Sequence, residues 1–477
     1  MRKLLLSFVA MVCCISASAQ DTPSITLKAP VDIKPLKLGI ATSVDVDNLM
    51  IDWGDGNMQK APAIAADDGW QTTTYVYGFA VGSGEVKIYC DKITVFDCGY
   101  SKNVSLPTGD TESAKITDLN VSNLPTLQYL YAPTNELTTI DLTKNTELVE
   151  VELSNNRFEN IDLSGNAKLK NLTLTNNKIS SIDLSKNTEL AKININQNPI
   201  NAVDFTANNN LKSIYALNCG LTDVKFGNNN TPRLYVSLNN NNLATLDVSM
   251  LTGLETLNVN NNQLTEVKFS EEFIASTARL KTFNVKDNRF TLATLPVPGT
   301  ISRFNYAPQQ PIEVEKSYLT GDVLDLSAQN NIKGILDAPV PTQYTLKTLS
   351  GDDLVEGTDY TINEGKITFL TTSTDSVYVS MSTEAFPKFS SITAMKTTPF
   401  VITTTQGIKT LGEDAVTVTA NNGVLCVKGM NGTTVTVFDV TGKTTATLKV
   451  NGNEASVRLP RGLYLVKTGD KTVKVML

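Results

Sequence analysis

The sequence predicts a mainly β protein, in which a solenoid of 21-residue coils is flanked by small β-sandwich domains. Three observations lead to this prediction. The pattern L-x-x-L-x-L-x-x-N returns every 21 residues through the middle of the chain. The segments on both sides alternate apolar and polar residues and are divided by turn residues. A length of 477 residues is also too great for one core, which favours a solenoid with flanking modules.

The composition excludes several classes of function. The chain has no histidine, so Ser-His-Asp and Cys-His catalysis, histidine metal sites and histidine pH switches are excluded. With 41 basic and 48 acidic residues, the net charge is −7. An acidic chain lacks the basic face that phosphate binding needs, so we expect no nucleic-acid partner. The cysteines beyond residue 19 are too few and scattered for a disulfide framework.

Residues 1–19 have the features of a secretory signal peptide. Two basic residues precede an apolar stretch, and Ala-Ser-Ala before Gln20 fits the small-x-small rule for cleavage. Cys13 and Cys14 lie in this segment without a convincing lipobox, so we expect cleavage without a lipid anchor. No later apolar run approaches the roughly 20 residues that cross a bilayer. We therefore expect an exported protein with no transmembrane segment after signal cleavage.

Residues 20–84 are predicted to form a small β cap domain on the first coil of the solenoid. The run Trp53-Gly54-Asp55-Gly56 resembles the W-G-D-G turn of PKD-type surface β-sandwiches. Asp-Gly supplies a turn with positive φ, so we predict a tight hairpin here. A calcium site that uses Asp52 and Asp55 is the alternative.

The solenoid is predicted over residues 85–300. Single coils cannot bury their own leucines, but stacked coils form a continuous apolar column. The coils open at or centre on Leu127, Leu148, Leu169, Leu190, Leu211, Val236, Leu257 and Phe283. Each strand is followed by an inward amide or thiol, at Asn135, Asn156, Asn177, Asn198, Cys219, Asn241, Asn262 and Asn288. A buried amide must be satisfied, and we expect backbone groups of neighbouring coils to do so.

The two remaining features of the solenoid concern its start and its convex side. The residues Cys90, Ile93, Val95 and Cys98 match the repeat template and predict a degenerate first coil from about residue 85.

The return half of each coil, on the convex side, is short, which predicts extended or 3₁₀ segments. It carries an aspartate column, which we interpret as turn-forming residues bonded to local backbone: Asp141, Asp162, Asp183 and Asp204. A calcium ladder is the alternative, weakened by Lys225 and Lys268 at the same position of later coils.

Two further β-domains are predicted downstream. Residues 301–403 have the alternation and turn spacing of an immunoglobulin-like β-sandwich. Residues 404–477 contain V-x-V-F-D-x-x-G-K, beginning at Val435, and G-x-Y-x-V-K, beginning at Gly462. These elements resemble the C-terminal sorting domain of type IX (Por) secretion cargo in Bacteroidota, and an ordinary β-sandwich is the alternative. The resemblance implies recognition at the outer membrane, removal of the domain and attachment to lipopolysaccharide.

The repeat itself resembles the leucine-rich repeat family, whose consensus accepts Asn or Cys at the inward position. The whole layout resembles internalin-like leucine-rich repeat surface proteins, which implies adhesion or recognition. We therefore expect a protein on the outer-membrane exterior that binds a host or bacterial surface protein or glycan through its concave face. The type IX secretion machinery is a further implied partner, and no cofactor or metal is expected.

Outward positions of the concave strands supply the candidate binding residues. They are Tyr129, Tyr131, Glu150, Glu152, Tyr215, Leu217 and Tyr235. Exposed tyrosines are typical interface anchors and stack on sugars. The alternative is that aromatic residues simply suit a pleated surface.

Two other functions stay open at this point. A structural component of a surface or biofilm matrix would act by self-association. A glycan hydrolase could use Glu150 and Glu152, whose Cα atoms should lie roughly 7 Å apart, a spacing that glycosidase geometry does not exclude. An open strand face lacks the pocket that tunes catalytic carboxylates, and no P-loop, nucleophile elbow or metal motif is present. We therefore predict no catalytic residues.

Overall fold

The computed structural model describes residues 22–31, 34–66, 73–100, 112–271, 280–297, 301–390, 392–404, 409–411, 416–421, 424–429, 432–452, 454–460, 462–468 and 471–477. The predicted signal peptide lies outside these residues. The described chain forms two compact units, one reaching Asn288 and including Pro296–Asn305, the other comprising Arg289–Leu295 and Tyr306–Leu477. The finer division at residues 84, 300 and 403 stays a proposal about separately folding parts.

The first unit begins with eight strands in two sheets. They are β1 (Ile25–Lys28), β2 (Leu36–Thr42), β3 (Met50–Asp52), β4 (Met58–Lys60), β5 (Thr74–Gly78), β6 (Glu85–Tyr89), β7 (Ile93–Asp97) and β8 (Asp118–Asn120). One sheet is antiparallel with the order β4-β3-β6-β1-β8. In the other sheet, β5, β2 and β7 are antiparallel neighbours.

The coils of the solenoid follow directly. Their strands are β9 (Tyr129–Tyr131), β10 (Glu150–Glu152), β11 (Asn171–Thr173), β12 (Lys192–Asn194), β13 (Ala202–Phe205), β14 (Ser213–Tyr215), β15 (Asp223–Phe226), β16 (Leu234–Ser237), β17 (Thr245–Asp247), β18 (Leu254–Asn258), β19 (Glu266–Lys268), β20 (Thr282–Asn284) and β21 (Arg303–Asn305). The concave strands β9, β10, β11, β12, β14, β16, β18, β20 and β21 pair in parallel, in that order. The pairs β13–β15 and β17–β19 lie on the return half, so extended convex segments are confirmed.

The cap and the solenoid share one sheet. Strand β7 pairs in parallel with β9, so β5, β2 and β7 extend the concave sheet to twelve strands. On the return side, β8 pairs with β1 of the five-stranded sheet. Both cap sheets therefore continue onto the first coils of the solenoid.

The leucine column is confirmed by the burial of alternate strand residues. Leu172 is 0% exposed, whereas Asn171 and Thr173 on either side are half-buried and point outward. The central leucine position of each coil pairs with that of the next, as in the pairing of Leu172 with Val151 and with Ile193. The side-chain period of two therefore places one row of each coil inside and two rows on the concave surface.

The inward asparagines that follow the concave strands, together called the asparagine ladder, are also confirmed. Their side chains form hydrogen bonds with backbone groups, as predicted. The Asn177 Nδ2 atom donates to the carbonyl oxygens of Leu153 and Leu174, each at 3.0 Å. Its Oδ1 atom accepts the N–H of Phe158 at 3.1 Å. Cys219 occupies one position of the ladder. Its Sγ atom lies 3.2 Å from the Ile195 carbonyl oxygen, so the thiol replaces the amide as hydrogen-bond donor.

The double asparagines in the sequence have a conformational cause. Asn155 and Asn176, which precede ladder residues, have φ of 56°, in the left-handed region that asparagine tolerates better than most residues. The turn reverses the chain, and the second asparagine of each pair points inward. A second buried ladder, absent from the sequence prediction, lies on the return half and is formed by Asn145, Asn166, Asn187, Asn208 and Asn229.

Two details of the solenoid differ from the sequence prediction. The first coil was placed three residues too early: Phe96, not Ile93, pairs with Leu130 at the central leucine position. Both faces of β7 are buried, so alternation gave no cue to register. The concave sheet also continues beyond residue 300, because Phe304 of β21 pairs with Phe283 of β20.

The turn interpretation of the aspartates is confirmed. Asp162 Oδ1 accepts the N–H of Ser164 at 2.9 Å, and the same bond recurs in the other coils of the column. Lys268 Nζ lies 2.9 Å from Asp247 Oδ2, which balances charge in a later coil. In the cap, Asp52 Oδ1 accepts the N–H groups of Gly54 and Gly56 between the antiparallel strands β3 and β4, as the tight hairpin requires.

The second unit is built from short strands and one 3₁₀ helix, Ser327–Gln329. Its strands are β22 (Ser317–Leu319), β23 (Val323–Asp325), β24 (Gln343–Thr348), β25 (Tyr360–Asn363), β26 (Lys366–Phe369), β27 (Val377–Ser382), β28 (Met395–Lys396), β29 (Val401–Thr403), β30 (Lys409–Leu411), β31 (Val416–Asn421), β32 (Val424–Lys428), β33 (Thr434–Asp439), β34 (Thr444–Lys449), β35 (Glu454–Arg458), β36 (Leu463–Thr468) and β37 (Lys471–Met476). The last eight form two four-stranded sheets, β30-β31-β32-β35 and β34-β33-β36-β37, around one valine-rich core. Among the residues described, no helix has the length and apolar character needed to cross a membrane.

Candidate functional site

The outward rows of the concave sheet form the candidate site. Parallel register places Tyr129 beside Glu150 and Tyr131 beside Glu152. The same register places Ser213 beside Tyr235. These outward side chains are half-buried or exposed, apart from a few buried polar residues, and all of them lie on one face of the sheet.

The first candidate cluster combines tyrosines with carboxylates. Glu150 Oε2 accepts a hydrogen bond from Asn171 Nδ2 at 2.8 Å, and Glu152 Oε1 accepts the N–H of Ser154 at 3.0 Å. Burial and the Glu150 charge raise the pKa of Tyr131 far above its usual value. Tyr131 therefore stays protonated near a carboxylate that is fixed in place.

The second candidate cluster is an aromatic pair on adjacent strands. The rings of Tyr215 and Tyr235 lie 5.1 Å apart between centroids with an interplanar angle of 35°. The Tyr235 hydroxyl accepts a hydrogen bond from Asn258 Nδ2 at 3.0 Å, which fixes the ring. Leu217 is half-buried beside them, and its N–H donates to Asn196 Oδ1 at 2.7 Å. Strands β11 and β12 separate this cluster from the first one.

A chain of surface amides continues from the tyrosine pair. The amide of Asn284 donates to Asn258 Oδ1, and Asn305 Nδ2 donates to Asn284 Oδ1 at 2.5 Å. Asn305 is absent from the residues predicted for this surface, although it lies 21 residues after Asn284. The spacing alone was the available signal. The pair thus lies at one end of a row of hydrogen-bonding groups that follows the sheet.

The geometry gives little support to catalysis or metal binding. An open cleft of ≈ 340 Å³ lies beside the turns that follow the first concave strands, and its lining does not include Glu150 or Glu152. Within the described part of the chain, no group of three or more Cys, Asp or Glu side chains is placed to hold a metal ion. The carboxylates of the convex column are hydrogen-bonded in turns. At Asp141, the hydrogen bonds from Thr143 lower the pKa of the carboxyl group.

The chain resembles known proteins in one C-terminal segment and, at low identity, in three solved structures. Residues 403–477 match a domain of unknown function, DUF6383. No curated protein sequence matches the chain. The chain is similar to the functional domain of InlJ from Listeria monocytogenes, which includes a cysteine ladder, at 16% identity and a TM-score of 0.43, covering 65% of this chain and 67% of that chain.

Two further solved structures are similar over shorter stretches. The leucine-rich repeat domain of APL1B is 18% identical, with a TM-score of 0.27 and coverage of 40% of this chain and 70% of that one. A chain of the LRIM1/APL1C complex is 17% identical, with a TM-score of 0.29 and coverage of 51% of both chains. None of these comparisons indicates an enzyme family. The assignment of a leucine-rich repeat solenoid rests on the coils themselves, since likeness at this level carries no function.

Proposed function

We propose that this protein is an exported recognition protein that binds a surface protein or glycan through its concave sheet. The observation that supports this most is the Tyr215–Tyr235 pair, whose rings lie 5.1 Å apart on an outward face. Aromatic pairs of this kind offer a large contact area at low entropic cost, which is why tyrosine is frequent among interface anchors.

The proposed location follows from the two ends of the chain. Residues 1–19 would direct export, residues 301–403 would form an immunoglobulin-like spacer, and the segment matched by DUF6383 would serve as a type IX sorting domain. Deleting residues 407–477 should leave the repeats folded but retained in the periplasm of a bacterium with that machinery. Cell fractionation and surface labelling measure this, and unchanged surface display would rule out the sorting role.

The binding role is tested by screening the secreted chain against surface proteins and glycan arrays, then measuring the partner found. Tyr215→Ala with Tyr235→Ala should weaken binding by about 2 kcal/mol or more, as loss of hot-spot aromatics does. Tyr235→Phe keeps the ring and should retain most of the affinity. A partner that binds the double variant with unchanged affinity would place the site elsewhere.

Self-association as a matrix component and glycan hydrolysis are the competing proposals. Sedimentation of the purified chain over a range of concentrations distinguishes the first, because self-association lost in the tyrosine variant would favour it. Hydrolysis of a glycan that is abolished by Glu150→Gln with Glu152→Gln would favour the second. Neither proposal has an observation as specific as the aromatic pair in its favour.

A further inference from the structure

The concave surface does not begin at the first repeat. Tyr131 pairs with Asp97 of β7, Asp97 pairs with Gly39 of β2, and Gly39 pairs with Tyr75 of β5. Residues that lie directly opposite each other in a sheet point to the same face. The cap domain therefore adds three strands and a tyrosine to the same surface that carries Tyr129, Glu150 and Glu152.

Gly39 has a specific role in this row. A Cβ atom at this position would lie 3.0 Å from Cε1 of Tyr75 and 3.1 Å from Cβ of Asp97, closer than side chains normally pack. The absence of a side chain lets the Tyr75 ring lie over the strand toward Asp97. Tyr75 is 41% exposed, so part of this side chain remains accessible to a partner.

The row is also electronegative. This row carries the carboxylates Asp97, Glu150 and Glu152, and the ammonium group of Lys37 lies 4.2 Å from the centroid of the Tyr75 ring. Burial and the Asp97 charge raise the pKa of Tyr75. One lysine of the chain itself, Lys37, thus already lies against an aromatic ring of this surface.

We propose that this cap-side patch, formed by Tyr75, Asp97, Tyr129, Tyr131, Glu150 and Glu152, docks a basic polypeptide. A lysine or arginine of the partner would lie against the tyrosine rings and pair with the carboxylates, since cations bind both aromatic faces and carboxylates. The hydroxyl groups of a neutral glycan would donate to these carboxylates without the ion pairs that a cation adds, and an anionic glycan is repelled. This inference rests on the proposed use of the concave sheet and adds a second contact region with a stated partner chemistry.

The two contact regions are separable in an experiment. Strand β10, the part of the patch nearest to the tyrosine pair, is three strand spacings from β14, or roughly 14 Å. A fluorescein-labelled deca-lysine peptide is the probe, with deca-glutamate and a glycine–serine peptide for comparison, measured by anisotropy on the full chain at two salt concentrations. Deca-lysine should bind and the other two should not, with affinity falling as salt rises.

Matched variants test the location of the site. Glu150→Gln with Glu152→Gln should weaken deca-lysine binding about tenfold, and Tyr75→Ala should weaken it severalfold. Glu159→Gln with Glu266→Gln removes the same charge from exposed positions away from the patch and should change affinity less than about twofold. Equal weakening by both pairs, or no binding of deca-lysine, would overturn the inference.

The tyrosine pair of the proposed function serves as the internal reference. Tyr215→Ala with Tyr235→Ala should leave deca-lysine binding unchanged, because the pair lies outside the patch. If a surface partner found by screening depends on that pair but not on the patch, the inference fails and the proposed function stands. If deca-lysine binding depends on the patch while the pair affects no partner, the inference stands alone.

Discussion

Replacing Asn177 by alanine tests the ladder that holds the coils together. The side chain is 8% exposed and makes three bonds of 3.1 Å or less to backbone groups. Two of them are to carbonyl oxygens that keep a second amide donor, because Leu153 also accepts from Asn156 and Leu174 also accepts from Asn198. In the third hydrogen bond, Asn177 Oδ1 accepts the N–H of Phe158. The described residues show no other acceptor for this N–H.

The magnitude follows from this difference. A stranded buried N–H costs about 1–3 kcal/mol, and each of the two lost carbonyl bonds costs about 0.5–1.5 kcal/mol, reduced by the remaining donor. We expect Asn177→Ala to lower the free energy of unfolding by about 3 kcal/mol. Urea unfolding followed by tryptophan fluorescence measures this, because both tryptophans, Trp53 and Trp70, precede the solenoid in the first unit's part of the sequence.

Two variants in the same region calibrate the result. Thr175→Ala removes a buried hydroxyl that has no hydrogen-bond partner and should cost less than about 1 kcal/mol. Asn187→Ala acts on the second ladder, where Oδ1 has no partner and both acceptor carbonyls, of Leu163 and Asn166, also accept backbone N–H groups. Its cost should be about half that of Asn177→Ala. A loss for Asn177→Ala no larger than that of Thr175→Ala would refute the reasoning.

Two further predictions concern the leucine column and alkaline pH. Leu172→Ala removes a fully buried side chain and should cost about 2–5 kcal/mol in the same urea assay, and a loss below about 1 kcal/mol would mean that the column carries little stability. Folding raises the pKa of Tyr131, so the unfolded chain releases this proton first and stability is lost as pH rises above about 10. Because the ring is half-buried, the loss by pH 11 should be about 1 kcal/mol, and Tyr131→Phe should abolish that part of the pH dependence.

The solenoid could be predicted from sequence because each coil buries the same pattern of leucine and asparagine side chains. The 21-residue spacing placed Leu172 and Asn177 correctly, and alternation placed Tyr215 and Tyr235 on adjacent strands of one outward face. The turn role of Asp162 also followed from local chemistry, since its partner, Ser164, is two residues away.

The parts that sequence analysis missed depend on long-range pairing. The pairing of Gly39 with both Tyr75 and Asp97 joins strands that are far apart in sequence and run antiparallel, which no periodicity reveals. At β7, burial of both faces removed the alternation that fixes register. At β21, Phe304 keeps the 21-residue spacing but the leucines around it are lost.

The central claim is that a partner binds the concave sheet and not the convex side. Two exposed lysines of adjacent coils allow a matched comparison: Lys192 lies on concave strand β12, and Lys186 lies on the return half that precedes it. Each is replaced by cysteine in a Cys426→Ser background, because the other described cysteines are buried, and labelled with polyethylene-glycol maleimide. Affinity for the partner found by screening is then measured with and without the label. The label at position 192 should weaken binding by about tenfold or more and the label at position 186 by less than about twofold; equal effects, or the reverse order, would contradict the claim.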